Sequence, residues 1–96
     1  MKKLVKVVKS DQAGKKWKAV FDIDGRSKTT HFGAAGMEDY TQHHDKERRE
    51  RYRTRHKKDL ETNDPTRAGF LSYYLLWGES TSLAQNLASY RQRFHL

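Results

Sequence analysis

The stretch Lys16-Trp17-Lys18-Ala19-Val20-Phe21-Asp22-Ile23-Asp24-Gly25-Arg26-Ser27-Lys28-Thr29-Thr30-His31-Phe32 decides the fold. In its first half Trp17, Ala19, Phe21 and Ile23 alternate with Lys16, Lys18, Val20 and Asp22, and a period of two marks a half-buried strand. Asp24-Gly25 follows at once, the favoured pair for a two-residue hairpin turn. That turn sets a register: Ile23 opposite Arg26, Phe21 opposite Lys28, Ala19 opposite Thr30 and Trp17 opposite Phe32. Trp17 and Phe32 then share the core face, while Lys18 and His31 face the other way. A slip of one residue would bury Lys18, so the hydrophobic pattern enforces the register.

Outward from the hairpin, Lys3 to Val8 is short and rich in β-branched residues, and Asp11-Gln12-Ala13-Gly14 is a turn signal behind it. Three antiparallel strands therefore occupy residues 1–36. Gly33-Ala34-Ala35-Gly36 ends them, and its two glycines allow the sharp change of direction a turn needs. A glycine loop can also cradle phosphate, but no strand–loop–helix phosphate motif accompanies this one.

Residues 41–96 read as three helices. Asp45 to Leu60 has strong helical composition, with Tyr52, His56 and Leu60 forming a narrow inward stripe. Thr62-Asn63-Asp64-Pro65 breaks it, with Asp64 as the expected N-cap and Pro65 as the first residue of a second helix. That helix, through Phe70, Leu71, Tyr74, Leu75 and Trp77, is apolar around much of its circumference and is the expected core helix. Gly78 stops it. Ser80 or Thr81 is the expected cap of a third helix, whose Leu83, Leu87, Tyr90 and Phe94 face inward. The expected architecture is one α+β domain over residues 1–96: a small three-stranded antiparallel sheet followed by three helices.

Composition narrows the function. The 96 residues carry 20 Lys and Arg against 12 Asp and Glu, a formal charge of +8. Such a charge on one small domain attracts polyanions: nucleic acid, an acidic membrane surface or an acidic protein. No cysteine is present, which excludes disulfides, thiolate nucleophiles and cysteine-based zinc sites. Met1-Lys2-Lys3-Leu4-Val5-Lys6 lacks the apolar run of a signal peptide, and Tyr73 to Trp77, the longest apolar stretch, is far below a membrane span. The expected compartment is therefore intracellular.

The charged helix carries most of the functional signal. Between Asp45 and Asp59 stand eight basic and four acidic residues, and five of the eight are Arg, which forks two donors onto a phosphate. Arg49, Arg53 and Lys57 fall at intervals of four, and Arg51, Arg55 and Lys58 run along a neighbouring line. Together with Lys16 and Lys18 of the sheet they are the expected nucleic-acid contacts. The alternative is a solvated helix laced by its own pairs, such as Glu47 with Arg51 and Glu50 with Arg53 or Arg49. No zinc-finger spacing, RNA-recognition aromatic signature or helix-turn-helix turn is present, so binding is expected to follow the phosphate backbone rather than read sequence. Double-stranded DNA is the expected partner.

His31, His43, His44 and His56 raise the question of a metal, as in many small nucleases. They lack the paired spacing of helical metal ligands, and packing or capping roles suit them better, so no metal and no cofactor is expected. Glu38 and Asp39 are adjacent and point apart on any regular element, and no serine has a His and acid arrangement around it. The chain reads as a binding protein, not an enzyme.

Several blocks occur in a distinctive order: His31-Phe32-Gly33-Ala34-Ala35-Gly36, Asp39-Tyr40-Thr41, the run from His43 to His56, Asp64-Pro65-Thr66-Arg67-Ala68-Gly69-Phe70, Leu75-Leu76-Trp77 and Tyr90-Arg91-Gln92-Arg93-Phe94. Over about Lys16 to Phe94 the chain resembles a family of small basic proteins of unassigned function encoded by large double-stranded DNA viruses of algae and protists. The resemblance implies a viral setting, within a virion or the nucleus or cytoplasm of an infected cell. There the protein would contact or condense DNA, or act as a minor capsid or virion-packing protein docked on acidic viral core or capsid proteins. It carries no catalytic role.

Overall fold

The hairpin forms in the predicted register. In the computed structural model, which describes residues 1–96, β2 (Lys15–Ile23) and β3 (Arg26–Ala34) run antiparallel. Ile23 lies opposite Arg26, Phe21 opposite Lys28, Ala19 opposite Thr30 and Trp17 opposite Phe32. Asp24 and Gly25 both sit at positive φ, 53° and 87°, as the tight hairpin turn that matches strand twist requires. The Gly25 N–H donates to the Asp22 carboxylate at 2.9 Å.

Strand β1 (Lys2–Lys9) pairs with the other side of β2, giving the order β1-β2-β3. Its core residues are Leu4 and Val7, three apart, so a regular strand would send one of them to solvent. A register shift between Leu4 and Lys6 removes the conflict: Val5 is the extra residue of a β-bulge and is exposed. Arg91, from the C-terminal helix, donates to the carbonyl of Leu4 at 2.9 and 3.1 Å and to that of Val5 at 3.2 Å. The distorted end of the strand is thereby held from 86 residues away along the chain.

The helices cover one face of the sheet. A single turn, α1 (Tyr40–His43), was not legible in the sequence; buried Asp39 caps it by accepting the Thr41 N–H at 2.9 Å, and Gln42 completes the capping box. Helix α2 (Lys46–His56) starts at Asp45, whose carboxylate accepts the N–H groups of Glu47 and Arg48. It tightens into a 3-10 segment (Lys57–Thr62) that ends at Asn63 in the left-handed conformation, so the charged helix spans its expected range.

The second expected helix begins later than its Asp-Pro signal. Residues 64–67 form a turn, with the Arg67 N–H on the Asp64 carbonyl, and α3 starts at Ala68. The cause is tertiary. Thr66 is buried and tied to β3: its carbonyl accepts the Thr30 hydroxyl at 2.7 Å, and its hydroxyl accepts Lys28 Nζ at 2.8 Å. Helix α3 (Ala68–Leu71) passes directly into a π-helical turn (Ser72–Leu76), closed by the Trp77 N–H on the Ser72 carbonyl. The wider turn turns Leu75 and Leu76 both inward.

Helix α4 (Leu83–Phe94) is capped by Ser82, not by Ser80 or Thr81. Ser80 instead accepts the Ser82 N–H and donates to Gln85. Leu4, Ala19, Phe21, Phe32, Phe70, Leu71, Leu75, Leu76 and Tyr90 form one core shared by sheet and helices. The fold is α+β. No helix is long and apolar enough to cross a membrane.

Candidate nucleic-acid interface

At 3.6 residues per turn, the positions Arg49, Tyr52, Arg53 and His56 of α2 lie on one side of the helix. That side faces α3. Arg49 Nε donates to the Gly78 carbonyl at 2.6 Å, and its side chain is only 15% exposed. Arg53 donates to the carbonyls of Trp77 at 2.7 Å and Tyr73 at 3.3 Å, with its guanidinium 4.1 Å from the Tyr73 ring centre. The last carbonyls of a helix have no intrahelical partner and carry its negative pole. Arg49 and Arg53 therefore cap the end of the π-helical turn.

This corrects the expected binding face. The line Arg49, Arg53, Lys57 does not face solvent as a unit, because its first two members are turned into the protein. Lys16 is also diverted: its ammonium bonds the Asp39 carboxylate and the Gln42 amide oxygen, both at 2.7 Å, and its side chain is 16% exposed. Lys18 lies on the open face of the sheet beside His31, paired with Asp11 at 3.5 Å. Lys18 does not join the cations of α2, while Lys16 lines the same cleft as Arg48, Arg51 and Arg55 with its ammonium already held by Asp39 and Gln42.

Arg51 and Arg55 do remain exposed, and Arg48, absent from the expected set, stands with them. The three lie on one flank of α2, within about 60° of each other around its axis. None of them makes an ion pair. Of the expected pairs within the helix, Glu50 with Arg49 forms on the opposite flank, while Glu47–Arg51 and Glu50–Arg53 do not. Lys57 and Lys58 extend the exposed charge beyond the helix end.

The arginine flank forms one wall of a cleft of about 480 Å³ between α2 and the loop after β3. Ala34, Met37 and Glu38 form the facing wall, and Tyr52, Leu76 and Trp77 the floor. The Tyr52 and Trp77 rings stack nearly parallel at 4.2 Å, and His56 stacks on the other face of Tyr52, also at 4.2 Å. Burial pushes the Tyr52 hydroxyl above the usual tyrosine range, so the floor is neutral. Gly33, at φ 81°, sets the lip: the Leu76 methyl lies 2.8 Å from where its Cβ would be.

Residues 5–56 of the chain match a family described as a family of unknown function, DUF5754. The chain belongs to this family. The DUF5754 region runs from β1 to the last residue of α2, and so holds the sheet, the cleft lip and all three free arginines. It includes most of β1, which lies outside the resemblance seen in the sequence. No curated protein and no solved structure matches.

The histidines of this DUF5754 member are used separately. His31 Nδ1 bonds Ser10 at 2.7 Å, His44 Nε2 meets the Thr41 carbonyl at 3.3 Å, and His56 Nδ1 pairs with Asp59 at 3.0 Å. His43 accepts the Asp45 N–H through Nδ1 at 2.9 Å and packs against Trp77. No three His, Asp or Glu side chains come together as a metal site.

Proposed function

We propose that this protein binds nucleic acid along its phosphate backbone, with little preference for sequence, through Arg48, Arg51 and Arg55, with Lys57 and Lys58 continuing the track. The observation that carries the reading is the unpaired state of the three arginines on one flank of α2. A guanidinium exposed without a carboxylate keeps its full donor set for phosphate. From Arg48 to Arg55 the helix rises about 10 Å, against one phosphate per about 3.4 Å of duplex axis on each strand. The flank can therefore engage about three phosphates of one strand.

The rest of the +8 charge supplies a diffuse attraction that speeds encounter without fixing geometry. From the resemblance to virus-encoded proteins, the setting we propose is a virion or an infected cell, with double-stranded DNA among the polyanions bound there. The test compares R48Q/R51Q/R55Q with a charge-matched sheet variant, K3Q/K6Q/K18Q, on a labelled oligonucleotide. The helix variant should lose at least about tenfold in affinity and the sheet variant distinctly less. Equal losses would reduce the interface to net charge. No binding by the wild type at physiological salt would move the basic flank to an acidic protein surface such as a capsid.

A further inference from the structure

We infer that the cleft behind the arginine flank takes one unstacked nucleotide, so that the protein prefers single-stranded nucleic acid to duplex; this rests on the phosphate-binding reading above. Backbone binding alone needs only a convex basic stripe. Here the stripe borders a concavity of about 480 Å³, within the size range of sites that enclose small ligands. Its chemistry is divided. One wall is cationic, while the floor and the opposite lip offer the edges of Tyr52 and Trp77, and Met37, a large apolar side chain left 66% exposed; Lys16 and Asp39, which also line the cleft, neutralise each other as an ion pair.

A phosphate has no use for an apolar floor, and a free apolar ligand has no use for three arginines. A nucleotide uses both. Glu38 on the far wall orients it: the carboxylate repels phosphate toward the arginines and can accept from an exocyclic amine of a base. A duplex keeps its bases stacked inside and presents phosphates alone, so only a strand with a base turned out reaches both walls.

The site is also preformed. Tyr52 and Trp77 are occupied face to face by each other, so the base meets a rigid floor of ring edges instead of prising apart a sandwich. Arg49 and Arg53 hold α2 against the end of the π-helical turn, fixing the floor to the arginine wall.

The test measures affinity for a 12-nucleotide single strand, the matching duplex and a mononucleotide at one salt concentration. The proteins are the wild type, A34W and M37S. Ala34 and Met37 are exposed lip residues, so neither change touches the core, and a thermal melt of each variant checks the fold. The single strand should bind about tenfold more tightly than the duplex, the gain expected from burying roughly 55–60 Å² of base surface against the floor. A34W, which fills the cleft, should bring the single strand down to the duplex value and leave the duplex unchanged. M37S should lose part of the same preference. Equal affinity for strand and duplex, or a preference that survives A34W, would overturn the inference while leaving phosphate binding intact. A mononucleotide that binds as tightly as the strand would make the cleft a site for free nucleotides and overturn the strand preference. Failure to bind any of the three would remove the phosphate reading as well.

Discussion

The Arg53 guanidinium lies 4.1 Å from the Tyr73 ring centre and donates to the Trp77 carbonyl at 2.7 Å, so α2 grips the end of the π-helical turn through a cation placed on both a ring and a helix terminus. A residue that a charge count assigns to a ligand is thus part of the scaffold. Arg49, one turn earlier, does the same with Gly78.

Replacing Arg53 by Ala should therefore cost stability before it costs binding. A charged donor on a carbonyl contributes about 1.5–3 kcal/mol and the ring contact about 0.5–1. In urea unfolding, R53A should lower stability by about 2–3 kcal/mol, with affinity of the still-folded protein for nucleic acid within twofold of wild type. Unchanged stability together with a large loss of affinity would put Arg53 back on the binding face.

Asn86 is buried and fully used by the connection between α3 and α4. Its amide donates to the carbonyls of Leu75 at 3.0 Å and Ser80 at 2.8 Å, and its oxygen accepts the Ser80 N–H at 3.1 Å. N86A leaves all three backbone groups without that partner, each unsatisfied group costing about 1–3 kcal/mol. The melting temperature of N86A should fall by ten degrees or more, since about 1 kcal/mol moves a domain of this size by roughly 4–8 °C. A change of a degree or two would mean that water replaces the amide.

Gly78 is required for steric reasons. A Cβ there would lie 2.2 Å from the Tyr74 carbonyl oxygen and 2.9 Å from Asn86. G78A must displace backbone, and it disturbs the Arg49 bond to the Gly78 carbonyl as well. It should be among the most destabilising single substitutions, by about 3 kcal/mol or more, and should express mainly as aggregated protein. A soluble G78A with a wild-type melting curve would contradict this packing.

Asp64 links the fold to pH. The bond from the Thr66 hydroxyl, then the Thr66 N–H and the nearby Lys28, hold its carboxyl below the usual value of 3.8. A carboxyl with a depressed native pKa stabilises the fold above its unfolded pKa, and loses that contribution as pH falls toward the native value. D64N should melt below wild type at pH 7 and pH 5 by the same margin. The margin should narrow below about pH 4. A margin that stays constant down to pH 3 would show that the charge of Asp64 has no part in the turn.

The hairpin was legible because its two signals agree: an alternating run ending on Asp24-Gly25 permits one register, and Trp17 meets Phe32 as that register demands. The bulge at Val5 was not, since nothing in Lys3 to Val8 says that Leu4 and Val7 must both face inward until the core is present. Asp64-Pro65 reads as a helix start on local chemistry, and the start is overridden by the bonds of Thr66 to β3. The π-helical turn has no local signature either, because it answers to where Leu75 and Leu76 must point.

The site was half legible. Arg51, Arg55, Lys57 and Lys58 stay exposed as expected, while Arg49 and Arg53 do not. The geometry of α2 contained the warning. Arg49 and His56 are seven residues apart, within about 20° on a helix, so the stripe that turns His56 inward carries Arg49 with it. The same count leaves Arg48 on the solvent flank with Arg51 and Arg55. What no count could supply is the facing loop, Ala34 to Glu38, that turns a basic flank into the wall of a cleft.

The most direct test of the central claim is the salt dependence of oligonucleotide binding for wild type and R48Q/R51Q/R55Q, by fluorescence anisotropy. Each phosphate neutralised contributes roughly −0.7 to −0.9 to the slope of log K against log salt. The wild-type slope should be steep, and the triple variant should be shallower by about 2 to 3, with weaker binding on every sequence tried. Equal slopes for the two proteins would contradict the account, because the three free arginines of α2 would then touch no phosphate.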